Sequence, residues 1–217
     1  MSNAGVRRPE VGELGRSARK RTAIIEAAHE LFLQKGYAGT SMDDVAARAA
    51  VSKQTVYKNF ADKQRLFTEV ITSDVGRIES TTEAQMAAMP DSTDLAGDLR
   101  AFARDHLAGV MQPGRLRLRR MLIGEAERFP ELAQAWYASG PERSCAEFAG
   151  WFAAWDRRGL LRVPDPMLAA QQFNWLVLSI PLNKAMAYAT DEPLFTRPEL
   201  DHYADEAVRV FLAAYAT

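Results

Sequence analysis

Lys53, Gln54, Thr55, Tyr57 and Lys58 stand together in one short stretch of this 217-residue chain, and they are the residue types that pair with nucleic-acid edges. At helical spacing Lys53, Gln54, Tyr57 and Lys58 share one face, opposite Val56 and Phe60. From such a face a lysine ammonium can donate to guanine O6 or N7, and a glutamine amide can pair bidentately with adenine. Each such contact discriminates by about 1–3 kcal/mol. The Tyr57 hydroxyl, Thr40 and Lys63 fall at the flanks, where phosphate contacts position a protein without reading sequence. Arg16, Arg19, Lys20 and Arg21 add candidates for backbone or minor-groove contact. The chemistry implied is recognition of base edges by a short helix in the major groove.

Catalytic chemistry fits poorly. His29, His106 and His202 are scattered, and neither a His-Glu-x-x-His run nor a glycine-rich phosphate loop occurs. Glu125 and Glu127 lie two apart on a helix and do not face each other. The single Cys145 excludes an internal disulfide and an all-cysteine metal site, and it reads as a buried thiol. No enzyme, metal or cofactor is implied. A reducing cytoplasm is the simplest compartment. No apolar run approaches the roughly 18–20 residues of a membrane span, and the first residues lack a secretory pattern.

The net charge of −1 conceals an asymmetry. Residues 1–63 hold 11 Lys or Arg against 7 Asp or Glu, whereas the remainder holds 16 against 21. The surplus of positive charge sits around the base-reading face, and the larger part of the chain repels DNA.

The elements that must position this face are helices. Residues 1–16 are polar, with Gly and Pro and no apolar period, and read as a flexible basic arm. A first helix is expected from about Ser17 to Lys35 on the stripe Ile24, Ala28, Leu31 and Phe32, with Gly36 as the residue of positive φ beyond its end. Ser41 caps a second helix, with Asp43 and Asp44 in its first turn and Met42, Val45, Ala46 and Ala49 inward. Ser52 caps the third. Asp62 caps a fourth, with Leu66, Phe67, Val70 and Ile71 inward, continuing to about Ala88 before Pro90. Farther on, breaks at Pro113-Gly114, Pro130, Gly140-Pro141, Gly159, Pro164 to Pro166, Pro193 and Pro198 delimit helices near 92–111, 115–128, 131–138, 142–158, 165–189 and 198–215. The fold class is all-α: a three-helix helix-turn-helix head over 17–63, joined to a bundle of about six helices within 64–217.

The stretch from about residue 20 to 67 resembles the DNA-binding domain of TetR/AcrR-type transcriptional regulators. The resemblance rests on Thr40-Ser41, Val45-Ala46, Ala49-Ala50-Val51-Ser52, Thr55-x-Tyr57-x-x-Phe60 and Lys63. It implies that Thr40, Ser41, Thr55 and Asn59 join Lys53, Gln54, Tyr57, Lys58 and Lys63 in the DNA-binding set. Ala50 stands where that family usually has Gly, and Asn59 where His is common. Arg119 to Pro130, followed by Leu132-Ala133-x-Ala135-Trp136-Tyr137, also resembles the C-terminal domain of one subgroup.

The resemblance implies that the larger domain dimerises and encloses a pocket for a small effector, apolar or aromatic. Phe102, Met86, Met121, Phe148, Trp151, Trp155 and Phe173 would line an apolar cavity, with His106, Glu125 and Asn174 as its polar groups. Ordinary core packing is the competing reading for the aromatics. Pro181 is expected to kink its helix. Two stripes, Leu168, Gln172, Trp175, Ser179, Leu182 and Val208, Phe211, Leu212, Tyr215, are candidates for a homodimer surface or for core. The expected activity is that of a homodimeric repressor on a palindromic operator of double-stranded DNA, released by an effector. The alternatives are an activator, a regulator controlled by a partner protein without an inducer, and a helical interaction module that no longer binds DNA.

Overall fold

The computed structural model describes residues 11–71, 73, 89–188, 190 and 192–217, with side-chain surroundings from residue 17 onward. The chain divides into two compact units, 1–71 and 72–217.

The smaller unit opens with α1 (Val11–Gly39), which starts six residues ahead of the expected Ser17. Gly12 and Gly15 do not stop it, since each costs a propagating helix only about 1 kcal/mol relative to Ala. Gly36 (φ 72°, ψ 172°) breaks the helix in a region open essentially to glycine alone, and one further turn follows to Gly39. The predicted stripe Ile24, Ala28, Leu31 and Phe32 is buried. Next come α2 (Met42–Arg48), α3 (Lys53–Asn59) and α4, which begins at 63 and is described to 71. Its continuation toward Ala88 lies outside the described residues, as does Met86. Local chemistry sets each start. The Ser41 hydroxyl accepts from the Asp44 amide at 3.1 Å, and the Asp44 carboxylate accepts from the Ser41 amide at 3.1 Å, completing a capping box. The Ser52 hydroxyl accepts from the Thr55 amide, and the Asp62 carboxylate from the Arg65 amide. Phe32, Tyr37 and Phe67 pack edge-to-face and stacked, with centroids 4.8 to 5.8 Å apart, and Val56, Leu66 and Val70 are buried as well.

The larger unit consists of α5 (Leu95–Val110), α6 (Pro113–Glu125), α7 (Pro130–Tyr137), α8 (Arg143–Arg157), α9 (Pro166–Ala187) and α10 (Arg197–Tyr215). A π-helical turn, Ala138–Glu142, links α7 to α8 around Pro141. Gly159, at φ 72°, lets the Leu160 amide reach back to the Trp155 carbonyl at 3.0 Å and so ends α8. Among the described residues no strand forms, only an isolated bridge between Leu161 and Ala216. The helix α9 runs on through buried Pro181. The core is aromatic: Phe148, Phe152, Trp155, Phe173 and Phe211 are each at most 1 % exposed. Truncating a residue such as Phe152 to Ala there costs about 3–5 kcal/mol.

Of the two stripes, Leu182, Val208 and Phe211 turn into this core, because α5, α9 and α10 pack on one another within a single chain. Leu212 and Tyr215 are half-buried. The large apolar residues that remain exposed on these helices are Met167, Leu168, Trp175, Leu176 and Ile180 on α9 and Val210 on α10, with Ile180 the most open at 60 %. No helix among the described residues is long and apolar enough to cross a membrane.

Candidate nucleic-acid interface

α3 is held from beneath by Val56 and Phe60, both at most 2 % exposed, and that burial turns the opposite face outward. Lys53, Gln54, Tyr57 and Lys58 are all exposed, Tyr57 at 45 %. The helix is short, so its aim depends on the turn before it. There the Val51 amide bonds the Ala46 carbonyl at 3.1 Å, and Ala50 adopts φ 52°. Ala50 is the one non-glycine residue of positive φ among those described, so the residue that departs from the family's glycine holds the left-handed conformation.

Lys53 donates to Asp43 of α2 at 2.9 Å, and the carboxylate beside it raises the lysine pKa. The lysine is therefore charged and tethered, and it would have to leave Asp43 before its ammonium could meet another partner. Sequence reading missed Asp43 in this role, because only the turn brings residues ten apart together. Gln54 and Lys58 carry no such tether. Thr55 is half-buried, with its hydroxyl 2.8 Å from that of Ser52. Asn59 spends its amide on the Thr55 carbonyl at 2.8 Å.

Three flanking residues hold the head together. Thr40 is 2 % exposed and its hydroxyl donates to the Gly36 carbonyl at 2.9 Å, so it fastens the end of α1. Ser41 is the α2 cap, with its hydroxyl also 2.8 Å from the Asp44 carboxylate. The Lys63 ammonium donates to the carbonyls of Tyr37 (2.9 Å) and Thr40 (3.0 Å) and lies 4.5 Å over the Tyr37 ring. Upstream, Arg21 pairs with Glu69 at 2.7 Å and covers Phe60, whereas Arg19 and Lys20 are exposed. The Arg16 side chain is outside the described residues.

In the larger unit the expected pocket residues mostly fill space. Phe102, Phe148 and Trp151 have ring centroids 4.9 to 5.2 Å apart, Phe173 lies 5.8 Å from Phe148, and the Trp155 indole donates to the Met89 carbonyl at 2.9 Å. Met121 and Glu125 are half-buried. His106 stacks on Phe102 and its Nε2 lies 3.1 Å from the Asn174 amide oxygen. Part of His106 remains accessible, but its ring is enclosed by Phe102, Phe148 and Asn174, and burial lowers its pKa. Open space lies beside these rings. One cleft of about 540 Å³ between α6 and α7 is walled by Leu122, Ile123, Ala133, Trp136 and Tyr137. Another of about 690 Å³ lies along α8 and α9, and Asn174 is the one predicted pocket residue on its wall.

A short helix presenting polar side chains, clamped by a capped helix and a tight turn, with a separate helical unit following in the chain, defines a helix-turn-helix DNA-binding protein. Comparison with known proteins gives the family. Residues 24–70 match the model of bacterial regulatory proteins of the tetR family, and residues 97–217 match that of the C-terminal domain of AefR-like transcriptional repressors. The chain belongs to the TetR family of transcriptional regulators, which are not enzymes. It is 41 % identical to a structure described as a TetR-family transcriptional regulator from Mesorhizobium loti, covering 93 % of this chain and 99 % of that one with a TM-score of 0.85. It is 31 % identical to the flavonoid-responsive regulator FrrA, over 92 % of this chain and 98 % of that one, with a TM-score of 0.74. The transcriptional activator FasR of Mycolicibacterium smegmatis is 31 % identical over 100 residues, 42 % of this chain and 46 % of that protein. The chain spans about half or less of the length of the curated relatives it matches.

Proposed function

We propose that this regulator is a homodimeric repressor whose paired heads read a palindromic operator and whose larger unit takes a small effector that releases it. The observation carrying the DNA-reading part is the α3 face, with Gln54, Tyr57 and Lys58 exposed over buried Val56 and Phe60. Within it, Lys53, Gln54 and Lys58 are assigned to base edges and Tyr57 to phosphate. Thr40, Ser41 and Lys63 act as positioning residues for that face, as do Thr55 and Asn59.

Dimerisation is assigned to the exposed α9 stripe, where Leu168, Leu176 and Ile180 leave apolar surface facing water. A two-fold axis through it matches an operator with two half-sites, spaced by about one helical turn or a multiple of it. Likeness to AefR-like repressors over residues 97–217 favours repression over activation, and likeness to FrrA favours an effector. The effector acts only through its difference in affinity between the DNA-competent and incompetent states.

Fluorescence anisotropy against the DNA upstream of the protein's own gene tests this reading, across salt and beside a scrambled duplex. Selective binding that weakens steeply with salt and fails in Gln54→Ala and Tyr57→Ala supports it. Binding no better than to the scramble, repeated with random genomic fragments, overturns it. Ile180→Glu is expected to give a monomer by light scattering, with operator affinity lost and helicity retained.

A further inference from the structure

Asn174 is a polar residue inside an otherwise apolar core. Among the described residues the buried polar side chains are Thr40, Ser92 and Asn174. The hydroxyls of the first two are bonded to the Gly36 carbonyl and to Asp98. Asn174 is only half engaged: its oxygen meets His106 Nε2 at 3.1 Å, and an amide offers two N–H donors besides. No buried side-chain nitrogen or oxygen among the described residues lacks a partner. The NH₂ group is therefore open to solvent, and Asn174 lines the cleft of about 690 Å³ along α8 and α9. A core amide kept between aromatic rings, with one end tied and the other turned into a cleft, is arranged to meet a ligand atom.

The rest of the wall specifies that ligand. Tyr137, Cys145, Ala146, Met167 and Trp175 supply apolar surface. The ionic groups of the wall, Glu142 and Arg143, are exposed and of opposite sign. At the inner end burial disfavours the charged form of His106. An ionised group at the Asn174 end would find no buried counter-charge on the wall, where Glu142 and Arg143 are exposed to solvent. Building on the effector-responsive reading above, we propose that this cleft binds a neutral molecule with an apolar body and a carbonyl oxygen, which accepts a hydrogen bond from the Asn174 amide. With His106 donating through Nε2, the tie fixes which end of Asn174 faces inward. The wall residues Met167, Gln171 and Trp175 belong to α9, whose adjacent stripe is the proposed pairing surface, so occupancy is felt where two subunits meet.

The full-length protein is tested by equilibrium dialysis, without DNA, against two matched probe pairs: benzophenone with diphenylmethane, and methyl nonyl ketone with undecane. The ketones are expected to bind at least about tenfold more tightly than the hydrocarbons. Asn174→Leu, nearly isosteric, is expected to erase that preference while hydrocarbon binding stays. Ala146→Phe, which leaves the His106–Asn174 pair intact, is expected to fill the cleft and exclude all four probes. Irradiated benzophenone is expected to label peptides of the cleft wall, including Met167. The proposal is overturned if either ketone fails to outbind its hydrocarbon, if folded Asn174→Leu keeps the preference, or if the label falls elsewhere. A cleft filled by a second copy of the chain gives the first of these results. The operator assay with unliganded protein is independent, so a cleft without ketone preference and a head that does not read DNA are separate failures.

Discussion

The Lys63 ammonium lies 4.5 Å over the Tyr37 ring while donating to the Tyr37 carbonyl at 2.9 Å, so the first residue of α4 is fastened to the last turn of α1. Its second bond, to the Thr40 carbonyl, draws in the entry to α2. The lysine thus holds together the segments that frame α3, capping carbonyls at the end of α1 and just before α2.

This makes Lys63 separable from a phosphate ligand. Lys63→Met is expected to lower the stability of the head by about 1.5–3 kcal/mol, the range for charge-assisted hydrogen bonds in half-buried surroundings. Urea unfolding followed by Tyr37 fluorescence or amide exchange in α1 reads the effect. A lysine serving only as a phosphate ligand would leave stability unchanged and reduce the salt slope of DNA binding by about 0.9.

Ala50 holds φ 52°, where a side chain costs about 1–2 kcal/mol that glycine does not incur. Against this stands the greater freedom of an unfolded glycine, about 0.4–1 kcal/mol. Ala50→Gly is therefore expected to raise stability by about 0.5–1 kcal/mol, and Ala50→Val to lower it by more than that. Thermal melts of the two variants with matched DNA titrations check the pair.

Lys53 is held by Asp43 in the free protein. Asp43→Asn releases the ammonium and removes a negative charge beside the DNA. Operator affinity at low salt is expected to rise several-fold while the melting midpoint hardly moves, because the pair is exposed and surface pairs contribute little. Unchanged affinity would mean that Lys53 does not approach DNA.

His106 gives the larger unit a pH dependence. Burial pushes its pKa below the ordinary 6.5, with Arg115 adding in the same direction and Asn174 opposing. The unfolded chain thus takes up a proton that the folded one refuses. The associated stability is complete above 6.5 and is lost as pH falls through the lowered folded value. Melting midpoints are expected to drop as pH falls below about 6.5, with a shallower drop in His106→Gln. Asp205, held below its ordinary 3.8 by Arg104 at 2.6 Å, titrates at lower pH and does not obscure the comparison.

Much of this molecule is legible one turn at a time. Ser41, Ser52 and Asp62 cap where a short polar side chain precedes an apolar stripe, since caps need only residues within the same turn. Gly36 and Gly159 mark breaks because each needs a positive φ. The outward face of α3 follows from Val56 and Phe60 turning in, and the family likeness could be read from the same residues.

What no local pattern carries is the use of a side chain once distant segments meet. Lys63 and Thr40 are cations and hydroxyls by type, yet their partners lie at 36, 37 and 40, in positions set by the bend at Gly36. Val208, Phe211 and Leu182 have the spacing of a surface stripe, and packing among α5, α9 and α10 within one chain makes them core instead. Phe148 and Phe173 are equally good pocket walls and core, and only the distances between their rings decide. The amino-acid sequence by itself determined the helices, their caps and the outward polar face of α3, because those depend on neighbours within a few residues. The tertiary structure alone decided which donors stay exposed, which aromatics pack together and where an amide opens onto free space, because burial and hydrogen-bond partners are properties of the assembled core.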